Sequence, residues 1–295
     1  MTDLQNVSAD QTTEPAVPGS SGDSGRRFRL RIFGRWVGIT GLLTFLIAPI
    51  VPLFIWSISF RWFYPAIFPT EYSGRAWSEV INPNNDVVGV AWNTALIALV
   101  VTIFSILLGV PAGRALGLYE FRGKRLVEWL ILAPIIVPGL AVVLGIHVLF
   151  IRAGLSNTIP GVILVHLVPT LPYMTLVMSG VFANYDTDFE LQARSLGAGR
   201  WATQYHITLP AIFPGVVVGA LFAFIISWSQ YVLTLLIGGG QVQTLPLLLF
   251  GFVRSDPAIA GALSVVFILP AVLVLLLSSR YLSGDNAAVG GIGNI

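Results

Sequence analysis

Long runs without a charged side chain are the feature that most limits how this chain can fold. Six such runs are each longer than the roughly 20 residues that a membrane-spanning helix needs. The runs cover residues 36–60, 87–113, 129–151, 153–185, 201–253 and 257–279. Charged residues make up 10% of the chain, against about 25% in a soluble domain. So few charges cannot cover a soluble surface, which excludes an ordinary cytosolic enzyme and predicts a membrane protein.

The charge-free runs predict an all-α membrane protein with six transmembrane helices. The run 201–253 is long enough for two spans, but Pro210, Pro214, Pro246 and the glycine triplet 238–240 interrupt it. Because prolines and glycines break helices, we expect one span there, flanked by irregular segments. The predicted spans are about 36–60, 90–113, 129–150, 160–182, 213–236 and 259–279.

The basic residues predict which side of the membrane each loop occupies. If the N-terminus is inside, twelve Lys and Arg residues lie in inner segments and four in outer segments. This bias follows the positive-inside rule and places both termini in the cytoplasm. We therefore expect a multi-pass protein of the plasma (inner) membrane, with the lipid bilayer as a partner. A polar, disordered tail (1–31) precedes the membrane domain (32–282), and a short cytoplasmic tail (283–295) follows it.

The residues that most enzymes need are missing from this sequence. There is no cysteine and no His-Glu-x-x-His zinc motif. The segment from Gly117 to Arg125 resembles a phosphate-binding loop, but its glycines are one residue too far apart and Arg125 replaces the required Ser or Thr. We therefore expect no enzymatic activity, no cofactor and no metal. A net charge of +2 is too small to indicate nucleic-acid binding. No carboxylate lies deep in a span, which disfavours an ion-coupled carrier.

The cytoplasmic loop 184–212 carries the most specific pattern in the chain. Thr187 and Glu190 have the spacing of a capping box, which predicts a helix that starts at Asp188. Gly197 is a natural residue to end that helix with a left-handed turn. A second amphipathic piece follows from about Arg200 to Ile207, and Pro210 closes it. From the residues alone, the loop either docks a partner or only connects two spans.

Within this loop the chain resembles the "EAA" signature of permease subunits in binding-protein-dependent ABC importers, Glu-Ala-Ala-x3-Gly-x9-Ile-x-Leu-Pro. Ala193 matches the last Ala, Gly197 follows at the family spacing, and 207–210 read Ile-Thr-Leu-Pro. The start departs from the signature, because Leu191 and Gln192 replace the Glu and the first Ala, while Glu190 lies one position earlier.

Three further short motifs extend the resemblance over about residues 36–282. They are Asn93-Thr94, Gly109-x-Pro111-Ala112 and Thr244-Leu245-Pro246. The form Ala-Arg-Ser-Leu-Gly-Ala at 193–198 is similar to the loops of polyamine, iron, phosphonate and thiamine-type permeases.

The resemblance implies a MetI-like fold and a role as one permease subunit of an ABC importer. It implies separate ABC ATPase subunits, a second permease subunit and an extracytoplasmic solute-binding protein. The transported solute would be small and polar or cationic, such as a polyamine. The loop would couple the membrane domain to the ATPase through Phe189, Glu190, Ala193, Arg194, Leu196, Gly197, Ala198, Arg200, Trp201, Ile207, Leu209 and Pro210.

Polar residues inside the predicted spans are candidates for the transport path. They either line a passage or join one helix to another, since a single hydrogen-bonding partner is enough to explain such a residue. The candidates are His147, His166, Tyr173, Ser227, Gln230 and Tyr231. Other functions remain open at this stage: a self-sufficient six-span channel or carrier, a membrane enzyme, or a membrane anchor for a partner complex.

Overall fold

The structure is a computed structural model that describes residues 35–45, 47–62 and 65–282. Both predicted tails, 1–31 and 283–295, lie outside the described residues. The chain divides into two units after Pro52. Nearly all of the described secondary structure is helical. The elements are α1 (35–45), α2 (Val51–Ser57), β1 (Ser59–Arg61), β2 (Glu71–Tyr72), α3 (Arg75–Ile81), a 3-10 turn (Pro83–Asn85), α4 (Val87–Leu118), α5 (Lys124–Ile136), α6 (Gly139–Arg152), α7 (Ile159–Ala183), α8 (Asp188–Ser195), α9 (Arg200–Thr203), a π-helical turn (Gln204–Thr208), α10 (Leu209–Trp228), α11 (Val232–Gly238), α12 (Leu245–Phe252) and α13 (Pro257–Leu282).

Four helical segments of the described chain are long and apolar enough to cross a bilayer alone. They are Val87–Leu118, Ile159–Ala183, Arg200–Trp228 and Pro257–Leu276. The predicted spans 90–113, 160–182 and 259–279 fall on three of these segments. The bent pair α5–α6 would make a fifth span. The described residues therefore support four or five spans, and the predicted count of six is not confirmed.

Close packing of α4 on α7 forms the centre of the second unit. Gly109, Gly113 and Gly117 lie one helical turn apart on α4. A Cβ at these positions would collide with side chains of α7: Met174, Met178 and Phe182, in the same order. The matching order means that α4 and α7 run in the same direction. Small residues at such spacing let two membrane helices approach closely, so α4 and α7 behave as one packed pair.

The helix α10 packs against the same pair. Gly219 faces Met174, and Gly215 faces Val181. At the far end of α10, Trp228 is buried and its indole N–H donates to the carbonyl of Phe267 on α13 (3.1 Å). The Trp228 ring stacks between Phe224 and Phe267, with centroid distances of 5.9 and 5.7 Å. These contacts join α13 to the central helices.

The predicted third span, 129–150, is not one straight helix. It consists of α5 and α6, which meet at an angle of 104°. Pro138 has no backbone N–H to continue the helix, and it forces the preceding Val137 into an extended conformation (φ −77°, ψ 133°). The charge-free run located the segment, but a run of apolar residues carries no information about the bend.

The predicted fifth span, 213–236, is wrong at both ends. The helical segment begins at Arg200 and passes Pro210 and Pro214 without ending. Pro210 occupies the first turn of α10, directly after the π-helical turn, where a missing N–H is tolerated. At the other end α10 stops at Trp228, and a separate short helix, α11, follows.

The predicted first span, 36–60, is also interrupted. Residues 35–45 are helical, 48–50 form turns, and α2 begins at Val51. Pro49 lies within the turn, and Pro52 is the second residue of α2. Each helical piece is too short to span a bilayer by itself.

The end of the second unit opposite α8 is held by polar contacts between distant segments. Arg75 on α3 forms an ion pair of 2.6 Å with Asp256, whose other oxygen accepts from two N–H groups at the start of α13. The Asn93 side chain donates to the carbonyl of Gln243 (2.7 Å), and the Thr94 hydroxyl accepts from the N–H of Leu245 (2.8 Å). The motifs Asn93-Thr94 and Thr244-Leu245-Pro246 therefore meet in space.

Candidate functional site

The loop helix α8 ends as the sequence predicts. Gly197 has φ +87°, in the left-handed region that favours glycine. The N–H of Gly197 donates to Arg194, and the N–H of Ala198 donates to Ala193, both at 3.0 Å. These two bonds are those of a Schellman motif, which satisfies carbonyls at a helix end. The predicted role of Gly197 as the terminating residue is confirmed.

The start of α8 differs from the predicted capping box. Thr187 has helical dihedral angles and its side chain makes no capping bond. The carboxylate of Asp186 accepts from the N–H of Asp188 instead (2.8 Å). Glu190 does not reach back to the helix start, because its carboxylate is bound elsewhere. The predicted start at Asp188 is right, and the predicted capping mechanism is wrong.

Glu190 is the centre of a polar cluster beneath α8, which we call the Glu190 cluster (Arg114, Tyr185, Glu190, Gln204 and Thr208). The Nη2 atom of Arg114 lies 2.9 Å from both carboxylate oxygens of Glu190. The hydroxyl of Thr208 donates to Oε1 of Glu190 (2.8 Å), and Nη1 of Arg114 donates to Gln204 (3.3 Å). The carboxylate therefore joins α8 to the end of α4 and to the π-helical turn.

The surroundings of Glu190 keep it ionised. Burial alone would raise the pKa of this carboxyl group, since a charged group loses hydration inside a protein. The hydrogen bonds from Thr208 and Arg114, together with the positive charge of Arg114, outweigh burial and lower the pKa below its usual value. Burial also raises the pKa of Tyr185, the member of the cluster whose hydroxyl is buried beside Glu190. The cluster thus holds a charged pair at neutral pH.

The predicted coupling residues fall into three groups by exposure. Glu190 is only 5% exposed, so its side chain does not lie on the exposed surface of the loop. Ala193, Ala198 and Ile207 are half-buried. The remaining members are exposed: Phe189, Arg194, Leu196, Gly197, Arg200, Trp201, Leu209 and Pro210.

Large apolar side chains dominate the exposed part of this loop. Leu196 is 89% exposed and Trp201 is 83% exposed, and Phe189 and Leu191 are each about half exposed. We call these four residues the α8 face; Phe189 and Leu191 lie on α8, Leu196 directly follows it, and Trp201 lies on the adjacent α9. Phe189, Ala193 and Leu196 line one cavity of about 770 Å³, as expected for residues on one side of a helix. Apolar groups grouped in this way on a protein surface are typical of a binding site.

Two of the predicted path residues, His166 and Ser227, are buried in a second polar cluster. His166 is 1% exposed, and its two ring nitrogens lie 2.9 Å from the hydroxyls of Ser227 and Thr234. The Thr170 hydroxyl donates to the carbonyl of His166 and accepts from the hydroxyl of Ser105 on α4, both at 3.0 Å. This set, the His166 cluster, joins α4, α7, α10 and α11. Its members satisfy one another, which favours the interpretation that they join helices.

The other four predicted path residues are half-buried: His147, Tyr173, Gln230 and Tyr231. Tyr173 on α7 stacks with Phe222 on α10 at 6.3 Å. Tyr231 lies 4.3 Å from Phe250 on α12, measured between ring centroids. Gln230 and Tyr231 occupy the break between α10 and α11. In the described ranges, no three His, Asp or Glu side chains are grouped as metal ligands would be.

Sequence reasoning missed the partners of Glu190 and His166. Arg114 was visible as the charge that ends the run 87–113, but its distance of 76 residues from Glu190 gives no local signal. Thr208 occupies the variable position of the Ile-x-Leu-Pro part of the signature, so the signature assigns it no role. Thr234 follows His166 by 68 residues and belongs to a different helix.

The chain is similar to a family of membrane transport proteins. A family model described as "Binding-protein-dependent transport system inner membrane component" matches residues 106–284, which is more than half of the chain. The chain belongs to this family. The match begins within α4 and includes α8, the Glu190 cluster and all of the His166 cluster except Ser105. The protein is therefore a permease subunit of an ABC importer, and the resemblance found in the loop is confirmed.

Relatives in this permease family carry different transport names. The chain is 30% identical over 222 residues to "Molybdenum transport system permease protein ModB" of Mycobacterium tuberculosis, covering 68% of this chain and 81% of ModB. It is 27% identical to "Spermidine/putrescine transport system permease protein PotC" of Haemophilus influenzae, over 68% and 79%. It is 23% identical to PotC of Escherichia coli, over 87% and 96%.

Solved structures of importers share the fold. One is the "bacterial ABC transporter involved in the import of the acidic polysaccharide alginate", with a TM-score of 0.65, 19% identity and coverage of 85% of this chain and 96% of that chain. A second is the methionine transporter MetNI in an inward-facing conformation, with a TM-score of 0.54, 16% identity and coverage of 65% and 93%. The predicted all-α, MetI-like importer permease fold is confirmed.

Proposed function

We propose that ATPase subunits of the importer dock on the α8 face, and that this chain lines the transport path together with a second permease chain. The supporting observation is the α8 face itself: four large apolar side chains are exposed on α8, on Leu196 directly after it and on the adjacent α9. The Schellman motif and the Glu190 cluster hold α8 in place. Apolar side chains grouped and exposed in this way are typical of an interaction site.

The proposed arrangement requires α8 to lie in the cytoplasm. The basic residues support this orientation, since Arg194 and Arg200 flank the α8 face and Lys124 and Arg125 begin the helix that follows α4. Both termini would then also be cytoplasmic. The end of the molecule that carries the Arg75–Asp256 pair would face outward, toward an extracytoplasmic solute-binding protein.

The second permease chain would pack on helices that expose apolar side chains along their length. Most side chains of α5 and α6 are exposed, and α5 borders a cavity of about 390 Å³ that α4 and α7 also line. Either lipid or another permease chain covers such surfaces. The inter-chain path is proposed to lie beside this region and near Tyr173, Gln230 and Tyr231.

We propose a small organic cation of the polyamine type as the transported solute. PotC of Escherichia coli aligns over 87% of this chain, against 68% for ModB. The aromatic pairs Tyr173–Phe222 and Tyr231–Phe250 each join a half-buried tyrosine to an exposed phenylalanine, and they offer ring faces of the kind that attract organic cations. The second candidate is an oxyanion such as molybdate, which the higher identity to ModB favours.

Reconstitution of the complete transporter tests both parts of the proposal. The chain is co-expressed with its ATPase, its second permease and its binding protein, and ATP hydrolysis is measured with putrescine, spermidine or molybdate. We expect a polyamine to stimulate hydrolysis and molybdate to have no effect. Stimulation by molybdate alone would refute the polyamine assignment and leave the docking proposal in place.

A matched pair of variants tests the docking part. Leu196→Ser removes an exposed apolar side chain from the α8 face, and Phe121→Ser removes one from the loop between α4 and α5, which is predicted to be cytoplasmic as well. We expect the ATPase subunit to co-purify less with Leu196→Ser and normally with Phe121→Ser. Equal retention by both variants would contradict docking at the α8 face.

A further inference from the structure

Glu190 differs from every residue of the α8 face, because its side chain points into the protein. The neighbouring Phe189 and Leu191 are exposed, whereas Glu190 is buried and bound to residues of two other elements. A carboxylate in this position cannot contact an ATPase subunit directly. Its contacts instead connect α8 to other elements of this chain.

We propose that Glu190 and Arg114 form an ionic tether that passes displacement of α8 to the membrane helices. In this role both are positioning residues, which act through the helices they connect. The inference rests on the proposed docking of the ATPase at the α8 face. It adds the route by which movement of that face reaches the transport path.

The geometry of the tether suits the transmission of force. One nitrogen of Arg114 contacts both oxygens of Glu190 at 2.9 Å, and the Thr208 hydroxyl holds one of those oxygens at 2.8 Å. Charge-assisted hydrogen bonds are short and strong compared with neutral ones. The Arg114 guanidinium also lies over the ring of Phe182 on α7, 5.6 Å from its centroid. Displacement of Glu190 therefore acts on α4, α7 and the start of α10 together.

The helices attached to the tether form one packed group. Gly109, Gly113 and Gly117 bring α4 into close contact with α7, and Gly215 and Gly219 bring α10 into contact with α7. Tightly packed helices move as rigid bodies, because packed interiors do not deform continuously. Movement of Arg114 would therefore carry the group rather than bend a single helix.

The covalent connection is a weaker route on the side that leads to α10. Between α8 and α9 the backbone passes through Gly197 and Gly199, and no atom lies within 4 Å of the Cβ position of either glycine. Glycines without neighbours allow the backbone to change conformation easily. A push on α8 would be absorbed there unless a second connection, the tether, bypasses these glycines.

Charge variants in the reconstituted complex test the tether against a purely structural role. Loss of Arg114 leaves the buried Glu190 carboxylate with only the exposed Arg194, at 3.5 Å, as a charged partner. Breaking a buried ion pair destabilises a protein by itself, so the protein level alone decides nothing. The informative measurement is the number of ATP molecules hydrolysed per solute molecule taken up. The variants are Glu190→Gln, Arg114→Gln and the exchange Arg114→Glu with Glu190→Arg.

We expect Glu190→Gln to retain the ATPase subunit while the ATP cost per solute rises about tenfold, within the usual range of coupling between sites. The exchange variant should restore most of the lost coupling. Glu120→Gln is the matched control, since Glu120 pairs with Lys124 at 2.7 Å but is exposed at the same end of the molecule. This control should behave as the unmodified chain does.

An unchanged ATP cost in Glu190→Gln, or an exchange variant no better than either single variant, would overturn the tether. If Glu190→Gln does not accumulate, Thr208→Val and Arg114→Lys provide the same test, because each weakens the cluster without stranding a charge. They should raise the ATP cost in the same direction, and normal cost in both would also overturn the proposal. Failure of the unmodified chain to retain the ATPase would instead refute docking.

Discussion

The two polar clusters of this apolar chain differ in charge and in position. The His166 cluster is neutral, fully buried and shared among α4, α7, α10 and α11. The Glu190 cluster contains an ion pair and lies at the end of the bundle, between the loop helix α8 and the membrane helices. Both satisfy buried polar groups, but only the second connects the bundle to a surface that a partner would cover.

The difference shows how polar side chains are used in a membrane subunit of this kind. Neutral hydroxyls and imidazole can sit within the bilayer at low cost, and each interhelical bond adds only a modest stabilisation. A charged side chain costs free energy in the hydrocarbon region of the bilayer. This cost explains why the ion pair lies near the end of α4 and not in its middle. We infer that the His166 cluster fixes the bundle and the Glu190 cluster connects it to the loop.

Among the variants that distinguish the loop from the helix bundle, Gly197→Val is expected to have the largest effect on uptake. No atom lies within 4 Å of the Cβ position at Gly197, so the cost comes from its left-handed backbone, about 1–3 kcal/mol for a β-branched residue. We expect uptake to collapse and the ATPase to co-purify poorly, while membrane insertion and the melting temperature of the purified chain stay near normal.

Gly199→Val is the matched control for this variant. Gly199 also has no atom near its Cβ position, but its φ of −68° is one that Val adopts readily. Uptake should therefore remain close to normal. Full uptake in Gly197→Val with an intact complex would mean that the loop only connects two spans.

His166→Leu is expected to lower stability without changing coupling, which is the reverse of Gly197→Val, and its effect should be smaller. The change removes two hydrogen bonds and leaves the Ser227 hydroxyl without its partner, at a cost of about 1–2 kcal/mol. We expect a lower melting temperature in detergent and an unchanged number of ATP molecules per solute. Loss of uptake at a normal melting temperature would instead place His166 in the transport path.

The smallest effect is expected from Leu191→Glu, which restores the residue of the family signature. Leu191 is exposed, and exposed substitutions usually change stability by less than about 0.5 kcal/mol. Because the buried acidic position is already filled by Glu190, uptake should stay near normal, as measured with labelled solute in vesicles. A severe loss would show that Leu191 itself is an essential contact of the α8 face.

The sequence predicted those parts of the fold that depend on local composition. Charge-free runs located α4, α7 and α13, and the spacing around Gly197 located the end of α8. The bend at Pro138 and the continuous helix through Pro210 were not predicted, because a proline breaks or continues a helix according to the surrounding backbone hydrogen bonds. Pro138 follows an extended residue, whereas Pro210 follows a π-helical turn.

The candidate site was predicted in its sequence position but not in its orientation. The resemblance placed Glu190 among the coupling residues, but the spacing of residues along a short helix does not show which side chain turns inward. The residue that turns Glu190 inward, Arg114, lies on another helix, and only the folded chain brings the two together. In the same way, the sequence identified His166 as an unusual residue without revealing that Ser227 and Thr234 satisfy it.

The central claim, that the α8 face is where the ATPase docks, can be tested by crosslinking in native membranes. The chain has no cysteine, so Leu196→Cys introduces a single thiol on the α8 face, and Val253→Cys introduces one on an exposed residue at the end predicted to face outward. A thiol-to-amine crosslinker should join Leu196→Cys, but not Val253→Cys, to the ATPase subunit. Absence of an ATPase adduct from Leu196→Cys in membranes that retain uptake would contradict the claim.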